Sequence, residues 1–182
     1  MESPLTDLSK WQNFYVIVGS SAGALTGLQF VVITLIAQVR ITGSMREIRA
    51  FGTPTTVHFC MALLISAIAS CPWRAISGLA LILGLVGLGG VLYVLSAIRH
   101  AHHQTGYQPD MEDWLWYAGL PLATYVALTA SGVLLVTRAE PGLYLVAATS
   151  LALLFLGIHN SWDTVTYIAV QHSRKARAEG KK

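Results

Sequence analysis

The sequence predicts an all-α integral membrane protein: a bundle of five transmembrane helices with the N-terminus outside and the C-terminus in the cytoplasm. Three observations lead there. Hydrophobic residues fill 54% of the 182 positions and charged residues only 12%, against roughly a quarter charged in an average soluble domain. Five stretches approach the run of about 20 mostly apolar helical residues that a bilayer core requires. The lysines and arginines are shared unequally between the two sets of connections, as the positive-inside rule expects. The alternation of apolar and polar residues that a membrane β-barrel needs is missing.

The first span, 14–39, reads GSSAGALTGLQFVVITLIAQ over much of its length, with Gly19, Gly23 and Gly27 at successive i,i+4 steps. Absent side chains let a second backbone approach closely, which is how helices associate where lipid removes the hydrophobic drive between them. Thr26, Thr34 and Gln38 lie near this glycine stripe on the helical wheel, while Gln29 falls to one side and needs a partner of its own. Residues 1–9 carry Glu2 and Asp7 and no base, unlike the basic start of a secretory signal, so the first apolar block is expected to remain as a span.

The second span, 54–70, is the shortest. Pro54 stands in its first turn, where a missing N–H is tolerated, and His58 enters about one turn later. Cys60 and Cys71 stand about three turns apart in one apolar block, too far to bond within a helix. The third span, 75–98, carries Ala80, Gly84 and Gly87 as a small-residue stripe. The fourth, 114–136, follows Asp110, Glu112 and Asp113, which favour a helix start electrostatically. Ala123, Ala127 and Ser131 give it a second small-residue stripe, and Pro121 is expected to bend it near its inner end.

The fifth span, 141–170, opens with Pro141 and ends in the polar stretch GIHNSWDTVTY. At about 100° per residue, Thr166, His159, Asp163, Tyr167, Asn160 and Thr164 occupy one arc of about 160°, with Ile158, Val165, Ile168 and Trp162 opposite. This stretch therefore continues the helix. With Gly142 at the outer boundary, a rise of 1.5 Å per residue puts His159 about 25 Å inward, near the inner edge of a core roughly 30 Å thick. His159 and Asp163 are one turn apart, within reach of one another.

The longest connections, 40–53 and 99–113, are too small for a second domain. A single transmembrane domain, 1–171, is expected, followed by a basic, solvated cytoplasmic tail, 172–182. With the N-terminus outside, Arg40, Arg46, Arg49, Arg99, Arg174, Lys175, Arg177, Lys181 and Lys182 fall on the cytoplasmic side, against Lys10, Arg74 and Arg138 opposite. Trp11, Tyr15, Trp73 and Tyr144 then mark the outer boundary, and Trp114, Trp116, Trp162 and Tyr167 the inner one. Small size and compact loops point to a bacterial plasma membrane.

In this frame Gln38, His58, His159, Asn160, Asp163, Thr166 and Tyr167 all come to the inner leaflet. Intramembrane ionisable groups tend to line water-filled cavities or ion paths, so these residues are expected to form a cytoplasmic vestibule. The function they imply is a homo-oligomeric channel or pore for ions or small solutes, its partners being the lipid bilayer and further copies of the chain. Two alternatives stand beside it. One is a membrane subunit that docks onto a partner protein through its small-residue faces without a pathway of its own; the other is a redox protein holding haem between His58 and His159. Purely structural readings also remain: an interfacial helix end with snorkelling polar groups, and glycine stripes that pack within one chain.

Other chemistry finds little support. RHAHHQ, 99–104, is rich in imidazole but lacks the cysteine and carboxylate partners of a metal motif, and no metal or other cofactor is expected. HExxH and a glycine-rich phosphate loop are missing, and Ser20 and Ser21, within GSSAG at 19–23, lie in the outer half of the first helix with no histidine or lysine at that level, so an enzyme is not favoured. The net charge of +3 comes from residues between and beyond the apolar blocks rather than from a folded basic surface, which argues against nucleic-acid binding.

Overall fold

The computed structural model describes residues 4–38, 53–102 and 111–179, and every regular element among them is helical. A short helix α1 (Pro4–Ser9) precedes α2 (Gln12–Gln38). Next come α3 (Thr53–Ala69) and α4 (Ile76–His102). A single turn α5 (Met111–Trp114) leads into a π-helical segment (Leu115–Gly119), which continues as α6 (Leu120–Thr137). The last helix, α7 (Ala139–Glu179), runs 41 residues in one piece.

Among the described residues, four helices are long and apolar enough to cross a membrane: Gln12–Thr34, Ile76–Arg99, Leu115–Thr137 and Ala139–Thr166. The span expected at 54–70 is less clear, because its apolar helical part is Pro54–Ala69. Sixteen residues rise about 24 Å, short of a core roughly 30 Å thick. The turn after Ala69 sets this limit. Cys71 N–H donates to the Ile68 carbonyl at 3.2 Å, and the Trp73 indole Nε1 donates to the same oxygen at 2.7 Å, folding the chain back before Pro72 can extend the helix. The architecture is thus an all-α bundle with four clear spans and a shorter fifth helix among them.

The helices pack in a row that closes at one end. α4 lies on α6, α6 on α7, α7 on α3 and α3 on α2, and α2 returns to touch α7. Neighbours along the row alternate in direction. Trp11 at the head of α2 meets Tyr144 at the head of α7, edge to face with ring centroids 4.8 Å apart. Eighteen residues on in α2 and seventeen on in α7, Gln29 meets Ser161, so these two helices run parallel. α3 runs against both: Ser66 near its end faces Gly19 of α2, and Phe59 near its start covers Gly157 of α7.

The tightest seam joins α4 and α6. A Cβ on Gly132 would stand 2.7 Å from the Ala80 carbonyl oxygen and 3.0 Å from the Gly84 Cα, so only glycine lets these backbones meet. The Ala80–Gly84–Gly87 stripe therefore packs on Thr129 and Gly132. Of the other stripe residues on α6, Ser131 is buried and donates to the Leu128 carbonyl at 2.6 Å, Ala127 is half-buried and Ala123 is exposed. In α2, Gly19 lies against Ser66, whereas a Cβ on Gly23 or Gly27 would meet nothing within 4 Å.

Burial departs from that of a water-soluble protein, because large apolar side chains cover the outside as well as the core. Val16, Leu28, Leu81, Leu85, Val133 and Phe155 are exposed, while Gln29, Thr55, His58, Ser131, Ser150 and Asn160 are buried. A patch of that extent would drive aggregation in water, and in a bilayer it is the lipid face. Hydroxyls inside the bundle largely bond to their own helices, as Ser150 does to the Ala147 carbonyl at 2.8 Å and Thr149 to that of Val146 at 2.9 Å. The tail read as solvated from 172 keeps the α7 helix through Glu179. The stretch SRKARAE at 173–179 is rich in helix formers, and bases suit a helix C-terminus.

Candidate functional site

The polar arc of α7 straddles the boundary between its buried and exposed faces. Gly142 faces Leu135 of α6. Asn160 is eighteen residues further, five turns at 3.6 residues per turn, and so lies on the same line of the helix. It is wholly buried, 0% exposed, and neither its amide nitrogen nor its amide oxygen has a hydrogen-bond partner among the described residues. His159 and Asp163, about a quarter turn away, lie outside this line, with side chains 29% and 47% exposed.

The buried side of the layer is assembled around α7 from four further helices, α2, α3, α4 and α6. Phe59 packs over Gly157, where a Cβ on the glycine would strike the phenyl ring, and this contact sets α3 one turn from Asn160. His58, adjacent to Phe59 and 1% exposed, pairs its Nδ1 with the Tyr125 hydroxyl of α6 at 3.1 Å. Tyr125 reaches that position because its ring lies across Gly90 of α4, in space that any Cβ there would occupy. The His58 Nε2 atom is buried without a hydrogen-bond partner among the described residues. On the neighbouring side, the Ser161 hydroxyl donates to Gln29 Oε1 of α2 at 3.2 Å, which supplies the partner Gln29 requires.

A second cluster opens outward. The His159 ring stacks on Trp116, with centroids 3.6 Å apart and planes inclined by 22°. His159 Nε2 is 3.1 Å from Asp163 Oδ2, close in distance but not directed as a hydrogen bond. Together with Phe155, Ile158 and Trp162, these two rings line an apolar groove of about 370 Å³. Trp116 belongs to the π-helical segment. Pro121 cannot donate to the carbonyl four residues back and its ring crowds that position. The chain widens its turn before it, and the Leu120 N–H bonds to the carbonyl of Leu115, five residues away. The irregularity expected at Pro121 is therefore an inserted residue in the turn, and it sets the angle at which Trp116 meets α7.

The structure thus buries both His58, bonded to Tyr125, and Asn160, one turn from the Phe59–Gly157 contact, and places His159 with Asp163 on the more exposed side of α7. Thr166 is half-buried and its hydroxyl donates to the Trp162 carbonyl at 2.9 Å. The side chains of Gln38 and Tyr167 lie outside the described residues, as do the 40–52 connection, 103–110 including part of RHAHHQ, and the final bases 181–182. His58 and His159 do not face one another: one is bonded to Tyr125 inside the bundle and the other is stacked on Trp116 at its edge. Among the described residues no three histidines, cysteines or carboxylates gather as a metal site would require.

Sequence reasoning missed Tyr125, Ser161 and the stacking role of Trp116. Tyr125 carried a usable signal, because a phenol in the midst of an apolar span must find a partner. Its link to His58 spans 67 residues, a separation that helical periodicity cannot bridge. Comparison of the chain with family models, curated proteins and solved structures finds no match in any of the three. Its class rests on its own geometry: long apolar helices, an apolar exterior and polar groups turned inward make it an integral, multi-span helical membrane protein.

Proposed function

We propose that the protein is the protomer of a homo-oligomeric pore for ions or small solutes, with the N-terminus outside and the basic end of α7 in the cytoplasm of a bacterial cell. Asn160 carries this reading. An amide taken from water into an apolar medium without partners costs roughly 2–7 kcal/mol, and Asn160 is buried with both amide atoms unpaired among the described residues. A hydrated or solute-bearing vestibule answers that need. His58 borders it, His159 and Asp163 form its outward rim, and Gln38, Thr166 and Tyr167 belong to the same inner end of the chain. The direction follows the positive-inside distribution of the bases and the aromatic residues at each boundary.

The test is flux through proteoliposomes containing the purified protein. Asn160→Leu keeps the side-chain size and removes the amide. Loss of one stabilising hydrogen bond along the path is expected to reduce flux about tenfold. Unchanged flux in a folded variant would dismiss the vestibule.

One observation favours a second reading, a non-transporting subunit. Gly23 and Gly27 leave open space on α2 in which the backbone of another helix would fit. A partner protein co-purifying in fixed stoichiometry, without flux in its presence, would establish that alternative.

A further inference from the structure

Resting on the pore reading above, we propose that the vestibule admits a small neutral molecule that both donates and accepts hydrogen bonds, of the size of water, ammonia or urea, and refuses bare ions. The argument lies in what the enclosed groups can and cannot offer. Asn160 presents an amide with both a donor nitrogen and an acceptor oxygen, each wholly buried and unpartnered among the described residues. His58 presents Nε2, also buried and unpartnered among the described residues. Its role is opposite to that of Nδ1 in a neutral ring: if the Tyr125 hydroxyl donates to Nδ1, Nε2 donates, and if Nδ1 donates, Nε2 accepts. In either tautomer the site offers mixed polarity, which matches a molecule carrying N–H or O–H together with a lone pair.

An ion asks for something else. A bare cation needs several converging oxygens or a carboxylate, and an anion needs converging donors or a fixed positive charge. Among the described residues the buried polar groups are neutral amides, hydroxyls and imidazole, with no buried carboxylate, lysine or arginine. The Gln29 oxygen already accepts from Ser161. The nearest carboxylate in sequence, Asp163, lies with His159 on the outward side of α7. A charged solute entering beside Asn160 would lose its hydration without gaining a counter-charge.

Wild-type proteoliposomes decide the matter. Water, ammonia and urea permeation are each measured by stopped-flow, and potassium and chloride currents are measured in planar bilayers. The expected result is permeation of at least one neutral probe about tenfold above that of protein-free vesicles, without ionic conductance, and a return to the protein-free rate in Asn160→Leu. Asn160→Asp, which supplies the missing charge, is expected to admit potassium. Ionic current in the wild type, with or without neutral flux, overturns the neutral selectivity and leaves the pore standing. Flux of no probe overturns both. The wild-type comparison holds whether or not either variant folds.

Discussion

Tyr125 and His58 meet through a contact that depends on a third residue touching neither hydrogen-bonding atom. The ring of Tyr125 occupies the space in which a Cβ on Gly90 would stand. Gly90→Ala is therefore expected to push the ring aside, break the His58 contact and destabilise the bundle by about 1–3 kcal/mol, the usual cost of overpacking. Thermal unfolding in detergent measures it. Tyr125→Phe removes only the hydroxyl and strands His58 Nδ1, so its expected cost is smaller, about 1 kcal/mol, within the range seen for hydrogen bonds between membrane helices. Combining the two should cost less than their sum, because Gly90→Ala has already broken the bond that Tyr125→Phe deletes. At this scale the sequence was partly legible. His58 and Asn160 stand out as polar residues in apolar runs, but their neighbours depend on which helices touch, and no local pattern carries that.

The helices themselves were legible wherever apolar length decided the matter. Long runs identified α2, α4, α6 and the apolar part of α7, since a backbone in lipid has to satisfy itself within each segment. α3 was less so: hydropathy extends through Cys71, but the hydrogen bond from Trp73 to the Ile68 carbonyl closes the helix earlier. The polar arc of α7 was visible as an arc, yet its division into an inward Asn160 and an outward His159 depends on where α6 sits. The π-helical segment ties these elements together. Pro121→Ala restores a donor and removes the ring clash, so the widened turn is expected to relax to α-helix and rotate Trp116 away from His159. Tryptophan emission checks this. His159→Leu should alter emission in the native background and leave it unaltered in Pro121→Ala; an equal change in both would mean the stacking survives without the π turn.

For the molecule as a whole, the small-residue stripes divide into two kinds. Gly132 fills a seam inside the chain, with the Gly84 backbone against it, whereas Gly27 faces open space. Gly132→Leu is expected to prevent folding altogether. Gly27→Leu should leave the unfolding temperature of the isolated chain unchanged and abolish self-association, measured as particle mass in detergent or nanodiscs. A Gly27→Leu protein of undiminished oligomer size would move any self-contact to another face. Sequence could mark both glycines as packing signals, but a stripe reads the same whether its neighbour lies within the chain or beyond it.

α7 leaves the apolar region as a continuous helix, and from Ile158 to Glu179 it contains neither glycine nor proline. Such a segment, about 33 Å long, lacks a joint at which motion could be absorbed. A pull, tilt or twist applied to its charged tip is delivered as displacement of the Asn160 amide. A wholly buried amide is therefore mechanically coupled to the charged end of the longest helix.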